Sequence, residues 1–90
     1  MGYNVCLFTL NGCGYCVSLK EELKKNNIEY SEYEVNEHKS TYDQITAITK
    51  EDALPTVYMQ NPDTGMGPIF VPGRDFKSPD EAIQKIKKYL

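Results

Sequence analysis

Residues 5–16 read Val-Cys-Leu-Phe-Thr-Leu-Asn-Gly-Cys-Gly-Tyr-Cys, and this stretch decides the fold. The run Tyr3–Thr9 is apolar on both alternating faces, as in a strand covered on both sides. Asn11-Gly12 then predicts a turn. From Cys13 onward, four residues recur at helical spacing: Cys16, Leu19, Lys20 and Leu23. We therefore expect a central strand that leads through a short loop into a helix, with two cysteines at the junction.

The middle of the chain predicts a second strand and a second helix. Asn26-Asn27 ends the first helix, and Ile28–Val35 suits a strand that has a bulge or lies at a sheet edge. Ser40 with Asp43 three residues later resembles an N-cap and its companion. The helix that they open is expected to end near Glu51. Its inner face would carry three residues: Tyr42, Ile45 and Ile48.

The last third of the chain predicts a β-hairpin and a third helix. Pro55 leads the strand Thr56–Met59, where a missing N–H removes least from the ladder. The turn residues Asn61–Gly65 connect this strand to a return strand, Pro68–Val71. The run Ser-Pro-Asp-Glu at 78–81 combines an N-cap serine, proline at the first helical position and glutamate at the third. The inner face of this helix would carry Ala82, Ile83, Ile86, Tyr89 and Leu90.

The element order predicts the fold class. A right-handed crossover makes the first two strands parallel, and the short hairpin makes the last two antiparallel. The expected fold is α/β, a four-stranded mixed sheet with three helices in the order βαβαββα and helices on both faces. Ninety residues leave room for one core, so we expect a single domain over 1–90.

Composition excludes several classes of function. The net charge is −3 and no Lys/Arg cluster is present, which argues against nucleic-acid binding. The apolar stretches are far shorter than the roughly 18 residues of a membrane helix, and Met1–Asn4 lacks the features of a secretion signal. Three cysteines cannot form a complete disulfide framework. We therefore expect a cytoplasmic monomer in a compartment that keeps thiols reduced.

Cys13 and Cys16 carry the chemistry. Two cysteines three apart at a helix start lie on the same side of one turn, so their sulfurs can bond. The N–H groups of Tyr15 and Cys16 can point at a Cys13 thiolate. A helix terminus contributes about 0.3–2 kcal/mol, whereas lowering a thiol pKa by 3 units requires about 4 kcal/mol. Further hydrogen bonds or a cation must supply the rest, and Lys20 is the nearest cation in sequence.

The positions of the two sulfurs predict a division of roles. Cys16 lies on the inner stripe of the helix and is expected to be the less exposed residue, with the higher pKa. The Cys13 thiolate would attack a disulfide, and Cys16 would resolve the mixed disulfide that results. No metal is expected. A zinc site needs four ligands, and only Cys6 and His38 could complete it. Cys6 is interpreted instead as an inert buried thiol.

The chain resembles a glutaredoxin, a small protein of thioredoxin-like fold. The resemblance rests on Cys13-Gly14-Tyr15-Cys16 after the first strand, on Leu54-Pro55 before the third, and on Gly73-Arg74-Asp75 before the last helix. It implies a dithiol oxidoreductase that reduces protein disulfides, including that of ribonucleotide reductase, and glutathione mixed disulfides. Glutathione would be the reductant and co-substrate.

The resemblance also implies a glutathione site. Pro55 would be a cis proline, against about 5–6% of X-Pro bonds in general, and the backbone of Leu54 would pair with the cysteinyl part of glutathione as an added strand. Tyr15 would flank the tripeptide. The segment Gly73-Arg74-Asp75 would hold its γ-glutamyl end, where free N–H groups would favour a carboxylate and Asp75 would meet the ammonium.

Two departures leave alternatives open. Leu10 stands where many glutaredoxins have a lysine for a glutathione carboxylate. A redoxin reduced by thioredoxin reductase instead of glutathione is therefore the first alternative. Gly14 stands where others have proline, and some glutaredoxins with glycine or serine there hold an iron–sulfur cluster between two subunits. A cluster-binding dimer is the second alternative.

Overall fold

A computed structural model describes residues 2–90. The described elements follow the predicted order: β1 (Asn4–Thr9), α1 (Gly14–Lys25), β2 (Ser31–Glu34), α2 (Lys39–Thr49), β3 (Thr56–Gln60), β4 (Ile69–Phe70) and α3 (Pro79–Lys87). The four-stranded sheet has the order β2-β1-β3-β4. β1 is parallel to β2 and antiparallel to β3, and β3 is antiparallel to β4. The predicted α/β class, with a mixed sheet and three helices, is confirmed.

Helices cover both faces of the sheet. One face packs against α1 and α3 through a cluster that includes Val5, Leu7, Leu19, Leu23, Val57, Met59, Ala82, Ile83 and Ile86. The other face packs against α2 through Phe8, Tyr42 and Ile45. Side chains that alternate along β1 therefore enter different clusters. This arrangement explains why both faces of β1 are apolar, which is the pattern that predicted a central strand.

Strand register brings distant segments to one end of the molecule. Phe8, near the end of β1, pairs with Thr56 at the start of β3. Val57 pairs with Phe70 at the end of β4. The loop that leads to α1, the segment before β3 and the segment after β4 therefore share the end of the sheet where β1 finishes.

Two strands are shorter than predicted, and at one end of each strand a residue makes a hydrogen bond outside the sheet. β2 lies at an edge and spans Ser31–Glu34 rather than Ile28–Val35. The Ile28 N–H donates to the Leu23 carbonyl at 2.9 Å and closes the end of α1 instead. β4 stops before Val71, whose N–H donates to the Asp75 carboxylate at 2.8 Å.

The start of α2 differs from the prediction. Ser40 is not the N-cap: the helix begins at Lys39, and His38 precedes it without a side-chain cap hydrogen bond. By contrast, the predicted cap of α3 is confirmed, since the Ser78 hydroxyl accepts from the Glu81 N–H at 3.3 Å. Ser78 is followed by proline, which favours a helix start at that place, whereas Ser40 lacks this second signal.

Two residues predicted to face the core are exposed. α2 ends at Thr49, before the predicted Glu51, because Lys50 takes the left-handed conformation with φ 62°. Ile48 is 69% exposed and Thr49 is buried in its place. Leu90 is 53% exposed because α3 ends at Lys87 and the last residues no longer follow the helical face. No helix within residues 2–90 has the length and apolar character to cross a membrane.

Candidate active site

Cys13 caps α1 with its own sulfur. The Cys13 Sγ accepts a hydrogen bond from the Cys16 N–H at 3.2 Å, and the residue has the extended conformation of an N-cap. Its N–H donates to the Leu10 carbonyl at 3.1 Å, and its carbonyl accepts from Val17 N–H at 3.2 Å. The residue is partly exposed. A helix N-terminus that donates to a surface atom favours negative charge at that point, so this sulfur is placed for nucleophilic attack.

Cys16 lies one turn inside the same helix and is 1% exposed. Burial, and after it a hydrogen bond to Cys13, raises the pKa of the Cys16 thiol to about 12. Cys16 therefore carries its proton throughout the neutral range, and an external disulfide cannot reach it without movement. The predicted contrast between an accessible Cys13 and a buried Cys16 agrees with this geometry.

Cys6 is a separate, buried thiol of β1. It is 7% exposed and free, and burial raises the pKa of the thiol. These properties agree with the interpretation of an inert residue. Within residues 2–90 no group of three or more His, Cys, Asp or Glu side chains is arranged to hold a metal ion.

Lys20 makes a contact that the sequence analysis did not anticipate. Its Nζ donates to Glu32 Oε2 at 2.9 Å, and the same oxygen accepts from the Thr9 hydroxyl at 2.8 Å. These two hydrogen bonds, from Lys20 and then from Thr9, lower the pKa of the Glu32 carboxyl. The hydrogen bond of Lys20 thus goes to Glu32 and not to Cys13. The alternation of β2 could have indicated the partner, since Glu32 lies on the face of Tyr30, toward α1.

The Leu54–Pro55 peptide bond is cis, in agreement with the expectation. Pro55 is buried, whereas Leu54 is half-buried and packs against the cluster of Phe8, Tyr42 and Ile45. The Thr56 hydroxyl donates to the Ala53 carbonyl at 2.6 Å and so closes the turn around the proline. Sheet register places this turn at the same end of the molecule as Cys13.

The backbone of the loop 71–76 is hydrogen-bonded within itself. The Gly73 N–H donates to the Phe76 carbonyl at 2.7 Å, and Gly73 has a φ of +89°, which glycine adopts most readily. The N–H groups of Arg74 and Asp75 both donate to the Val71 carbonyl, at 3.2 and 2.8 Å. The expectation that these N–H groups would be free for a bound carboxylate is therefore wrong.

The side chains of Arg74 and Asp75 tie this loop to its neighbours. Arg74 contacts Asp75 Oδ2 at 2.9 Å and donates to the carbonyls of Thr49 and Ile69 at 3.4 and 3.3 Å. Burial would raise the pKa of Asp75, but hydrogen bonds from Arg74 and the Val71 N–H outweigh it and lower the pKa. These bonds all use Oδ2, so within the described residues 2–90 Oδ1 of Asp75 keeps its lone pairs for another donor.

Tyr15 turns toward α3. Its ring meets Phe76 edge-on, with centroids 6.1 Å apart, and packs against the α1–α3 side of the core. Its hydroxyl oxygen is buried and has no hydrogen-bond partner among residues 2–90. Burial, and after it the charge of Glu81, raises the pKa of this phenol. Tyr15 is thus partly a packing residue between the active-site helix and the last helix.

We expect Tyr15→Phe to raise the free energy of unfolding by about 1 kcal/mol, because it removes a buried hydroxyl that has no partner. Urea unfolding measures the change. Tyr42→Phe is the matched control, since the Tyr42 hydroxyl donates to Asp52 at 2.8 Å and its loss is expected to destabilise by about 1 kcal/mol. Destabilisation by Tyr15→Phe would show that its hydroxyl is hydrogen-bonded in solution.

Comparison with known proteins places this site in a family. The glutaredoxin family model matches residues 5–61, which is more than half of the chain. The chain belongs to the glutaredoxin family. The matched range contains Cys13, Cys16 and Pro55, and it ends before the loop 71–76. A search of curated protein sequences finds no significant match.

Solved structures confirm the thioredoxin-like fold. The thioredoxin-like protein BC3987 is 23% identical with a TM-score of 0.64, over 97% of this chain and 100% of the other. A point mutant of that protein gives 21% identity and a TM-score of 0.67, over 93% and 99% of the two chains. Together with the family match and the cysteine pair, this fold supports a thiol–disulfide oxidoreductase.

Proposed function

We propose that the protein is a glutathione-dependent dithiol glutaredoxin, which reduces glutathione mixed disulfides and protein disulfides. The observation that carries the proposal is the pairing of Cys13, partly exposed with its sulfur at the helix N-terminus, with Cys16, which is buried and protonated. The Cys13 sulfur is accessible to a substrate disulfide, and the Cys16 sulfur, one helical turn away, can resolve the mixed disulfide that forms.

The reaction proceeds by two exchanges. The Cys13 thiolate attacks a disulfide sulfur, the bond between the two substrate sulfurs breaks, and one substrate thiolate leaves. Cys16 then loses its proton and attacks Cys13, which expels the second substrate sulfur and forms the Cys13–Cys16 disulfide. Two glutathione thiols reduce this disulfide and become oxidised glutathione. A glutathione mixed disulfide needs only Cys13, because a second glutathione can take the place of Cys16.

Two features support glutathione as the co-substrate. The backbone N–H and carbonyl of Leu54 take part in no hydrogen bond among residues 2–90, so they are free to pair with an extended peptide. Asp75 Oδ1 is available to the ammonium of a γ-glutamyl group. We propose that Tyr15, Pro55, Gly73 and Arg74 complete the glutathione site, with Arg74 also bound to the end of α2.

The alternative donor is thioredoxin reductase. Leu10 is 40% exposed, and its carbonyl accepts from the Cys13 N–H, so an apolar side chain stands beside the reactive residue. An exposed apolar side chain at this place favours contact with a partner protein over contact with the charged tripeptide. Under either donor we propose a cytoplasmic monomer that acts on protein disulfides, with ribonucleotide reductase among its targets.

A donor comparison tests the proposal. We expect oxidation of NADPH when the protein, a glutathionylated peptide, glutathione and glutathione reductase are combined, and little oxidation with thioredoxin reductase alone. Leu10→Lys is the informative variant: a cation at this place would attract a glutathione carboxylate and lower the KM for glutathione about twofold to fivefold. Faster turnover with thioredoxin reductase than with glutathione would replace the proposed donor by the alternative.

A further inference from the structure

Thr9 of β1, Lys20 of α1 and Glu32 of β2 form a hydrogen-bonded cluster that joins α1 to the sheet. Lys20 follows Cys16 by four residues, so the two side chains occupy neighbouring turns on one face of α1. Glu32 anchors the Lys20 ammonium at 2.9 Å and is itself held at 2.8 Å by Thr9, a residue that is 2% exposed. The cluster therefore holds the Lys20 ammonium in place one helical turn after Cys16, with Glu32 as its partner.

The second step of the reaction depends on ionisation of Cys16. Cys16 must be a thiolate to attack, and with a pKa of about 12 only a very small fraction is ionised near neutral pH. Burial and Cys13 raise the pKa of Cys16, whereas a backbone hydrogen bond with Leu10 and, after it, the charge of Lys20 lower that pKa. Tyr42 on α2 is a further titratable group whose charge couples to Cys16. Tyr42 donates to Asp52, and burial followed by this bond raises its pKa, so it stays neutral. Lys20 is the cation among these groups.

Lys20 keeps its charge throughout the reaction. Its hydrogen bond to Glu32 is the main cause that raises the pKa of Lys20, and Glu32 stays ionised because its own pKa is lowered. The pair therefore neither gives nor accepts the Cys16 proton at neutral pH. Once a target covers the site and excludes water, the field of a fixed charge becomes stronger, because the effective dielectric constant falls.

We propose that Lys20, held by Glu32 and Thr9, is a positioning residue that stabilises the Cys16 thiolate and so accelerates resolution of the mixed disulfide. The inference rests on the dithiol mechanism proposed above. In that step the Cys16 proton passes to solvent, a Cys16–Cys13 sulfur bond forms, and the bond from Cys13 to the target sulfur breaks. The electron pair leaves on the target sulfur, which is released as a thiolate.

The size of the effect follows from two opposing trends. If loss of the charge raises the Cys16 pKa by about one unit, the thiolate fraction falls about tenfold. The thiolate that remains is more basic and therefore more nucleophilic. With a Brønsted coefficient of about 0.4–0.5, this raises its rate constant for attack about threefold. We therefore expect Lys20→Met to slow resolution about threefold and to leave the first attack by Cys13 unchanged.

The experiment uses an aromatic disulfide that releases coloured nitrothiobenzoate. Stopped-flow mixing with the reduced protein gives two phases. The first equivalent of coloured thiolate is released when Cys13 attacks the disulfide. The second is released when Cys16 attacks Cys13 and expels the nitrothiobenzoate that is still bound to Cys13. The variants are Lys20→Met, Lys20→Arg, which keeps the charge, and Lys25→Met, an exposed lysine at the end of the same helix. Urea unfolding of each variant verifies that it is folded.

We expect a slower second phase in Lys20→Met alone, with Lys20→Arg near the wild-type rate. The delay should be constant from about pH 6 to 9, because the pH stays below the Cys16 pKa of about 12. An unchanged second phase in folded Lys20→Met, or an equal delay in Lys20→Arg, would overturn the role of the charge while leaving the oxidoreductase intact. Absence of any second phase in the wild type would instead remove the dithiol mechanism itself.

Discussion

Replacement of Cys13 by serine is expected to lower the reduction of a glutathionylated peptide to below about 1% of wild type, because a neutral hydroxyl is a far weaker nucleophile than a thiolate. Cys16→Ser should retain a substantial part of that activity, since a second glutathione can resolve the intermediate. It should lose most of its activity on a protein disulfide, for which Cys16 is the internal resolving group. The coupled NADPH assay with the two substrates measures both effects.

The fold is expected to survive both substitutions. Serine is among the preferred N-cap residues, so Cys13→Ser keeps an acceptor for the Cys16 N–H that now donates to Cys13 Sγ. Cys6→Ala is the control for a cysteine with no part in the chemistry, because Cys6 lies buried in β1. Full activity of Cys13→Ser, or complete loss in Cys6→Ala with the fold intact, would contradict the assignment of the nucleophile.

The stability of the reduced protein is expected to fall steeply at alkaline pH. The folded-state pKa of Cys16, about 12, lies above that of an unfolded cysteine. Between the two values the unfolded chain loses a proton that the folded chain keeps, so the contribution is complete below the unfolded pKa and is lost as the pH rises toward the folded one. At pH 10.5 the loss from Cys16 amounts to about 2 kcal/mol.

Cys16→Ala isolates this contribution. Urea unfolding at pH 7 and pH 10.5, with a reductant present, should show a loss for the wild type that exceeds the loss for Cys16→Ala by about 2 kcal/mol. The difference between the two pH values is the relevant quantity, because the variant also changes packing. Cys6 and Tyr42, whose pKa values burial raises, are common to both proteins and cancel. Identical pH dependence would mean that Cys16 is solvated in solution.

Most elements could be predicted because their signals are local. The apolar run of β1, the turn before Cys13 and the capped start of α3 all depend on neighbours within a few residues. The errors lie at the ends of elements, where a particular hydrogen bond or the exact start of a helix sets the boundary. Val71 fits a strand by its residue type, but its N–H binds the Asp75 carboxylate. Ser40 fits an N-cap, but the N-cap position is held by His38, two residues earlier.

The candidate site likewise combines features that the sequence predicts with contacts that only the folded structure shows. Cys13 and Cys16 follow from their spacing and from the helix that begins between them, which needs no knowledge of the rest of the chain. Two arrangements needed the folded molecule: the contact of Arg74 with the end of α2 and the bond between Lys20 and Glu32. The first joins residues 25 apart in sequence and the second joins residues 12 apart. No local pattern indicates the first pairing, and for the second the alternation of β2 indicates only the face on which Glu32 lies.

The sequence alone determined the element order and the mixed sheet and indicated Cys13 and Cys16 as the candidate reactive pair, since hydrophobic period, turn residues and helix starts are properties of short segments. The tertiary structure decided which backbone groups of the loop 71–76 are already paired, where the Tyr15 hydroxyl lies, and which carboxylate binds Lys20. The physical reason is that burial and hydrogen-bond pairing depend on which segments the sheet and helices bring together. The sequence of a short segment does not indicate which distant segments it will contact.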